Sequence, residues 1–169
     1  MLVCVMGDQL KVRSRIQIRK SDKIKLLKEL KDSFGDVVDS FSEKKFETAT
    51  ADDLPIVIIE GKLLLFKVGD IYFPTVRGVL ELGLRKNIVK VDAGAIRFVV
   101  NGADVMCPGI VSTDPDIQAG DPVMIVEETH NKPLAIGIAI MSGAEMKASS
   151  GKAIKSVHYV GDKLWNLDI

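Results

Sequence analysis

Residues 91–112, VDAGAIRFVVNGADVMCPGIVS, decide how the second half of the chain is read. Asp92 stands directly before a run of helix-compatible residues, where its carboxylate can accept a hydrogen bond from a first-turn amide, so a capped helix is expected over about 93–100. Asn101-Gly102 follows as a turn. Val105 and Met106 open a strand, Cys107-Pro108-Gly109 breaks it, and Ile110 and Val111 resume it. A short strand over 88–91 precedes the helix.

Downstream, the texture stays strand-rich. Gly120-Asp121-Pro122 leads into a strand over 123–127, Asn131-Lys132-Pro133 turns the chain, and residues 134–141 form a continuous apolar strand. Ser142 is placed to cap a short helix over 144–148. Residues 149–152 turn into 153–154, and 158–160 give the last strand. Six short strands with one early helix predict a small mixed barrel, whose closure removes exposed edges.

Upstream, RSRIQIR (13–19) alternates with period two, predicting a half-buried strand with Ile16 and Ile18 on one face. Ser21 offers an N-cap, Ile24, Leu27, Leu30 and Phe34 recur at helical spacing, and Gly35 stops the helix. A short helix or turn and then a strand near 45–50 follow. Three apolar runs, 54–59, 63–66 and 71–73, are separated by Gly-containing turns and read as an antiparallel meander. Pro74 and Thr75 open a helix with Val76, Val79, Leu80 and Leu84 as its buried stripe. The fold class is therefore α+β: a small N-terminal α+β domain with a meander, residues 1–84, followed by a pseudo-barrel with short helices, residues 88–166.

Composition narrows function. The net charge of 0 excludes a blanket basic surface. The charge is uneven, however: residues 1–31 hold nine basic side chains and three acids, and residues 32–60 hold eight acids against Lys44 and Lys45. Such a field suits oriented docking, and it could also support self-association. Cys4 and Cys107 are far apart with no CxxC or Cys/His cluster, so no metal centre is expected, and free thiols fit a reducing cytoplasm. The run MLVCVMGDQL (1–10) is too short for a signal peptide or a membrane span and reads as a tail or an edge strand. No nucleophile elbow, P-loop, dinucleotide fingerprint or HExxH motif occurs, so neither catalysis nor a cofactor is expected.

The segment 91–112, with the strand 120–128 (GDPVMIVEE) and the strand 133–142 (PLAIGIAIMS), resembles a PUA domain over roughly 88–166. The whole chain is similar to the malignant T-cell amplified sequence family of translation factors and its archaeal relatives, through LLLFKVGDIYFPTVR (63–77) and SVHYVGDKLWNL (156–167). The resemblance implies a cytoplasmic, non-enzymatic RNA-binding adaptor that contacts the small ribosomal subunit, the acceptor end of tRNA, or both, in initiation or recycling. It also implies a separate protein partner with an initiation-factor-like domain, because this chain ends shortly after Trp165. The alternative is a targeting module for a tRNA- or rRNA-modifying enzyme, or a ribosome-assembly factor.

The same resemblance places RNA along a groove between the first barrel helix and its neighbouring strand. The Pro108-Gly109-Ile110 bend is the candidate lining, with Gly102 at the other end of the segment; each glycine either admits RNA close to the backbone or only makes a tight turn. Arg97 either holds phosphate or sits in a surface ion pair. Lys147, Lys152 and Lys155 either neutralise phosphates or stand solvated. Asp92 reads as a cap, His158 as a packed barrel residue, and Trp165 as sealing the barrel end or stacking a base. Arg77, in the Pro74-Thr75-Val76-Arg77 turn, is the candidate stitch between the two domains.

Overall fold

The structure is a computed structural model and describes residues 9–169; most of the N-terminal run 1–10 thus lies outside the described residues. Strands β1 (Val12–Gln17), β2 (Phe46–Ala51), β3 (Leu54–Ile59), β4 (Lys62–Val68) and β5 (Ile71–Pro74) form an antiparallel meander in sequence order. Helix α1 (Lys20–Phe34) and a 3-10 turn (Asp36–Phe41) lie between β1 and β2, and helix α2 (Val76–Glu81) follows β5. The second sheet holds six strands: β6 (Ile88–Val91), β7 (Val105–Met106), β8 (Ile110–Thr113), β9 (Pro122–Glu127), β10 (Pro133–Ala139) and β11 (Lys152–Tyr159). Their spatial order is β7-β11-β10-β9-β6-β8, and β6 and β9 run parallel. Helix α3 (Ala93–Val99) links β6 to β7, and the whole makes a nearly closed pseudo-barrel. The chain is therefore α+β, with the meander and the mixed barrel where the apolar runs and turns place them.

The continuous apolar runs of β9 and β10 have a specific cause. Met124 and Ile136 face the core of the meander, with Leu65, Phe66 and Phe73. Their neighbours Val123, Ile125 and Ala135 face the barrel core, with Val89, Val99 and Ile154. Successive strand residues point to opposite faces, so a strand buried on both faces must be apolar at every position. The tail joins the same junction: Leu164 and Leu167 are buried against the meander core.

Local differences from the expected pattern have local reasons. Arg19, not Ser21, occupies the N-cap of α1, and its side chain makes no capping bond. The buried stripe is Leu26, Leu30 and Phe34, so the helix is rotated relative to the predicted stripe and Ile24 is 60% exposed. Ile16 is also exposed, because the register of β1 slips between Arg13 and Ile16, where Ser14 has a φ of 55°. Leu80 stands out of α2 at 63% exposure, whereas Val76, Val79 and Leu84 are buried as expected. Thr75 caps α2: its Oγ1 accepts from the Gly78 amide at 2.9 Å and donates to the Leu63 carbonyl at 3.0 Å. These two hydrogen bonds tie the start of α2, and with it the backbone that carries Arg77, to β4.

Candidate nucleic-acid interface

The candidate site is built around Asp92. Its carboxylate accepts from the Ala95 amide at 2.9 Å and caps α3, and its own amide donates to the Gly109 carbonyl at 3.0 Å. One residue thus clamps the start of the helix to the 3-10 bend Cys107–Gly109. The bend is held from the other side as well, since the Cys107 amide donates to the Gly151 carbonyl at 2.8 Å. Pro108 is exposed, and Gly109 and Ile110 are partly so.

The two glycines differ in why they are glycine. Gly109 has no left-handed backbone; a Cβ there would stand 3.2 Å from the Ala95 Cβ, so its role is the close approach of bend to helix. Gly102 has a φ of +86°, and a Cβ would meet the Tyr159 ring at 2.7 Å. Gly102 therefore carries a packed aromatic ring from β11 rather than open groove.

The basic candidates separate in the same way. Met106 pairs with Lys152 across β7 and β11, which brings Lys152 next to the bend. Its ammonium lies 2.9 Å from Asp104. The Lys152 contact first, and then the amide of Ser156, hold the Asp104 carboxyl below the usual carboxylate range. Lys155 is exposed on the same strand and adds to the positive field at Asp104. Lys147 is exposed on the 3-10 turn Glu145–Lys147, which touches the Cys107–Gly109 bend. Arg97 is exposed, but at 100° per residue it lies about 200° around α3 from Ala95, away from the bend. Its guanidinium instead sits 4.7 Å from the centre of the Phe98 ring.

Phe98 is the residue that sequence spacing does not reveal. It lies three residues beyond Ala95, on the helix face nearest the bend, and is 53% exposed; Met106, in the chain's next strand, is 48% exposed. A helix pattern assigns a Phe at that spacing to the core. An exposed aromatic face backed by a cation offers stacking to an unpaired base, and the free edges of a bend offer hydrogen bonds.

His158 is fully buried, as expected of a packed residue, but it packs toward the junction: its ring meets Phe66 of β4 edge-on at 5.6 Å. Its Nδ1 shares a 2.8 Å hydrogen bond with Asp162 Oδ2. Trp165 packs against the meander core and lies beneath Arg77, whose guanidinium carbon is 4.6 Å from the ring centre. Among the described residues no three His, Cys, Asp or Glu side chains group as metal ligands. No helix among them is long and apolar enough to cross a membrane.

A capped helix clamped to a Pro-Gly bend at the mouth of a six-stranded pseudo-barrel is the build of a PUA domain, and the family model of that domain matches residues 87–160. The chain as a whole belongs to the family of translation machinery-associated protein 20 and the malignant T-cell-amplified sequence proteins. It is 33% identical over 169 residues to translation machinery-associated protein 20 of Saccharomyces cerevisiae, covering 94% of this chain and 92% of the relative. It is 46% identical over 160 residues to an uncharacterized protein of Methanocaldococcus jannaschii, covering 93% and 98%. The crystal structure of a hypothetical protein from Pyrococcus horikoshii OT3 superposes with a TM-score of 0.84 at 37% identity, over 90% of this chain and 98% of that one.

Proposed function

We propose that this protein is a non-enzymatic RNA-binding adaptor of the translation machinery. The observation that carries the reading is the PUA domain at residues 87–160, inside a chain whose relative over nearly its full length is named for association with translation. In this reading the Pro108-Gly109-Ile110 bend, with Gly102 shaping the far end of the segment, admits the RNA backbone beside α3. Phe98 stacks a base with Arg97 behind it, and Lys147, Lys152 and Lys155 flank the phosphates. The RNA is on the small ribosomal subunit, at the acceptor end of tRNA, or spans both, and a separate protein with an initiation-factor-like domain completes the assembly. Residues 1–84 and 88–166 act as two units whose angle is held by Arg77 on Trp165 and by the shared faces of β9 and β10. The work is done in the cytoplasm without a cofactor.

The test is sedimentation of the tagged protein through a sucrose gradient of lysate from its own cells, with crosslinking and sequencing of the bound RNA. Small-subunit rRNA and tRNA ends in one fraction are expected, and Gly109→Glu should abolish this association while the melting transition is retained. Recovery only with free tRNA or rRNA precursors would replace the adaptor role by a modification or assembly role. An unchanged Gly109→Glu profile would remove the bend from the site.

A further inference from the structure

We infer that the corner formed by the end of β1, the first half of α1 and the Lys44-Lys45 turn is a second RNA-binding surface, which grips the phosphate backbone of folded RNA independently of the Pro108-Gly109-Ile110 bend. The inference rests on the RNA-binding reading above and extends it to the half of the chain that lies outside the PUA domain.

Helix α1 sorts its charges by side. At 100° per residue, Lys20, Ile24, Lys28 and Lys31 fall within an arc of roughly 80°, Asp22 and Glu29 lie opposite it, and Asp32 and Lys25 fall between Lys28 and Glu29. Contacts fix which way each flank points. Lys23, next to the basic arc, donates to the Lys44 carbonyl at 2.7 Å and lies 4.8 Å over the Phe46 ring. Lys31 reaches Asp39 at 3.1 Å. The basic flank therefore faces residues 36–45. Glu29 and Asp32 line a cleft with Asp70 and Tyr72 on the other side.

This packing redistributes the sequence's own charge pattern. Lys44 and Lys45 belong to the acidic stretch 32–60, yet the fold carries them onto the start of α1. Asp36 and Asp39, at the far end of the helix, are taken up by Lys31. What remains at this corner is Arg19, Lys20, Lys23, Lys28, Lys44 and Lys45, all exposed except the partly buried Lys23. Glu43, Glu47 and Glu60 are the carboxylates among them. Glu47 is already held by Arg15 at 2.9 and 3.1 Å, and Glu60 accepts from the Lys45 amide at 2.7 Å. On a protein of zero net charge this is a concentrated positive field, which orients a polyanion rather than attracting it everywhere.

Phosphate backbone is the occupant that this surface fits. The cations are spread over a strand, a helix and a turn, as an extended charged chain requires and a single anion does not. Ile16 and Ile24 are the exposed apolar side chains of the corner, short of the apolar stripe that an interfacial helix inserts into lipid. Coupling such a surface to a PUA domain in one chain raises affinity through two weak contacts and fixes the orientation of the bound RNA.

The experiment measures anisotropy of a fluorescein-labelled RNA hairpin with the full chain across a salt series. The wild type is compared with Gly109→Glu and with the quadruple variant Arg19→Gln, Lys20→Gln, Lys44→Gln, Lys45→Gln. The quadruple variant should weaken binding by about tenfold or more at low salt and reduce the slope of log Kd against log salt by about 2 to 3. Gly109→Glu, which loses the association that survives sedimentation, should in this equilibrium assay keep a weakened binding through the second surface, with the slope kept. The charge-conserving variant Arg19→Lys, Lys20→Arg, Lys44→Arg, Lys45→Arg should restore both values, which separates charge from folding. A quadruple variant that binds with an unchanged slope, beside a Gly109→Glu variant that does not bind, would overturn this inference and leave the proposed function standing. No binding by the wild type would overturn both. Binding of the wild type to phosphatidylglycerol vesicles that the quadruple variant loses, with RNA affinity unaltered, would overturn RNA as the occupant.

Discussion

Arg77 places its guanidinium carbon 4.6 Å from the centre of the Trp165 ring, joining the helix that closes the meander to the tail that follows the barrel. Arg77 is exposed and is aimed by the Thr75 cap; Trp165 is half-buried and aimed by Asp162, whose Oδ1 accepts from the Trp165 amide at 2.8 Å. Each partner is thus oriented by a neighbour in its own half of the molecule, and the stack is where the two halves meet outside the core.

Arg77→Ala should therefore cost about 0.5–1 kcal/mol, the range of a partly exposed cation–π contact. The same substitution in a Trp165→Leu background should cost much less, since the ring is gone. Urea denaturation of the four proteins in the cycle measures this coupling, and equal costs in both backgrounds would mean the stack contributes nothing.

Asp162→Ala should be more severe. The carboxylate serves three donors: His158 Nδ1 at 2.8 Å, the Tyr159 amide at 3.0 Å and the Trp165 amide at 2.8 Å. Removing it leaves fully buried His158 without its partner, and a loss of more than about 2 kcal/mol is expected. Trp165 is the chain's one tryptophan, so its fluorescence reads the tail directly. A red shift of the native emission is expected; unchanged emission with lowered stability would show that the tail is held without Asp162.

Much of the fold was legible because its signals are local. Asp92 and Thr75 both cap the helices they precede, the turn at Asn101-Gly102 falls between α3 and β7, and the turn at Gly61 falls between β3 and β4, as their residue types require. The phase of α1 was not legible. Ile24 and Leu26 are equally apolar, and the sheet beneath chooses Leu26, while the Lys23 ammonium sits over the Phe46 ring. The candidate site could be drawn from the sequence as a segment but not as a geometry. That Lys152 meets Asp104, that Gly102 lies under Tyr159, and that Lys44 joins α1 are all contacts between residues distant in sequence, and no local pattern encodes them.

The unequal setting of the two glycines makes a sharp comparison. Gly102→Ala must place a Cβ against the Tyr159 ring with a left-handed backbone, and should cost about 1–3 kcal/mol. Gly109→Ala meets only the Ala95 Cβ at 3.2 Å with an ordinary backbone, and should cost less than about 1 kcal/mol. Denaturation midpoints of the two variants provide the check. Equal losses would mean that the bend is packed more tightly against α3 than a 3.2 Å contact implies.

Acid should loosen the junction and the barrel together. Burial pushes the Asp162 carboxyl up, but the His158 bond and charge, with the Trp165 and Tyr159 amides, outweigh it and leave the group below the usual range. Glu127 behaves alike: burial opposes ionisation, yet the amides of Lys132, Thr129 and His130 pull it below the usual range and close the loop after β9. A carboxyl depressed in the folded state contributes stability that is present above its unfolded pKa of about 4, and that is lost as pH falls through the lower folded value. Stability should thus be level from neutral pH down to about 5 and fall below it. Glu127→Gln and Asp162→Asn should each be less stable at neutral pH and should each flatten the acid limb. Melting curves at stepped pH test this, and an acid limb unchanged in both variants would assign the acid sensitivity to other carboxylates such as Asp104, which Lys152 holds down in the same direction.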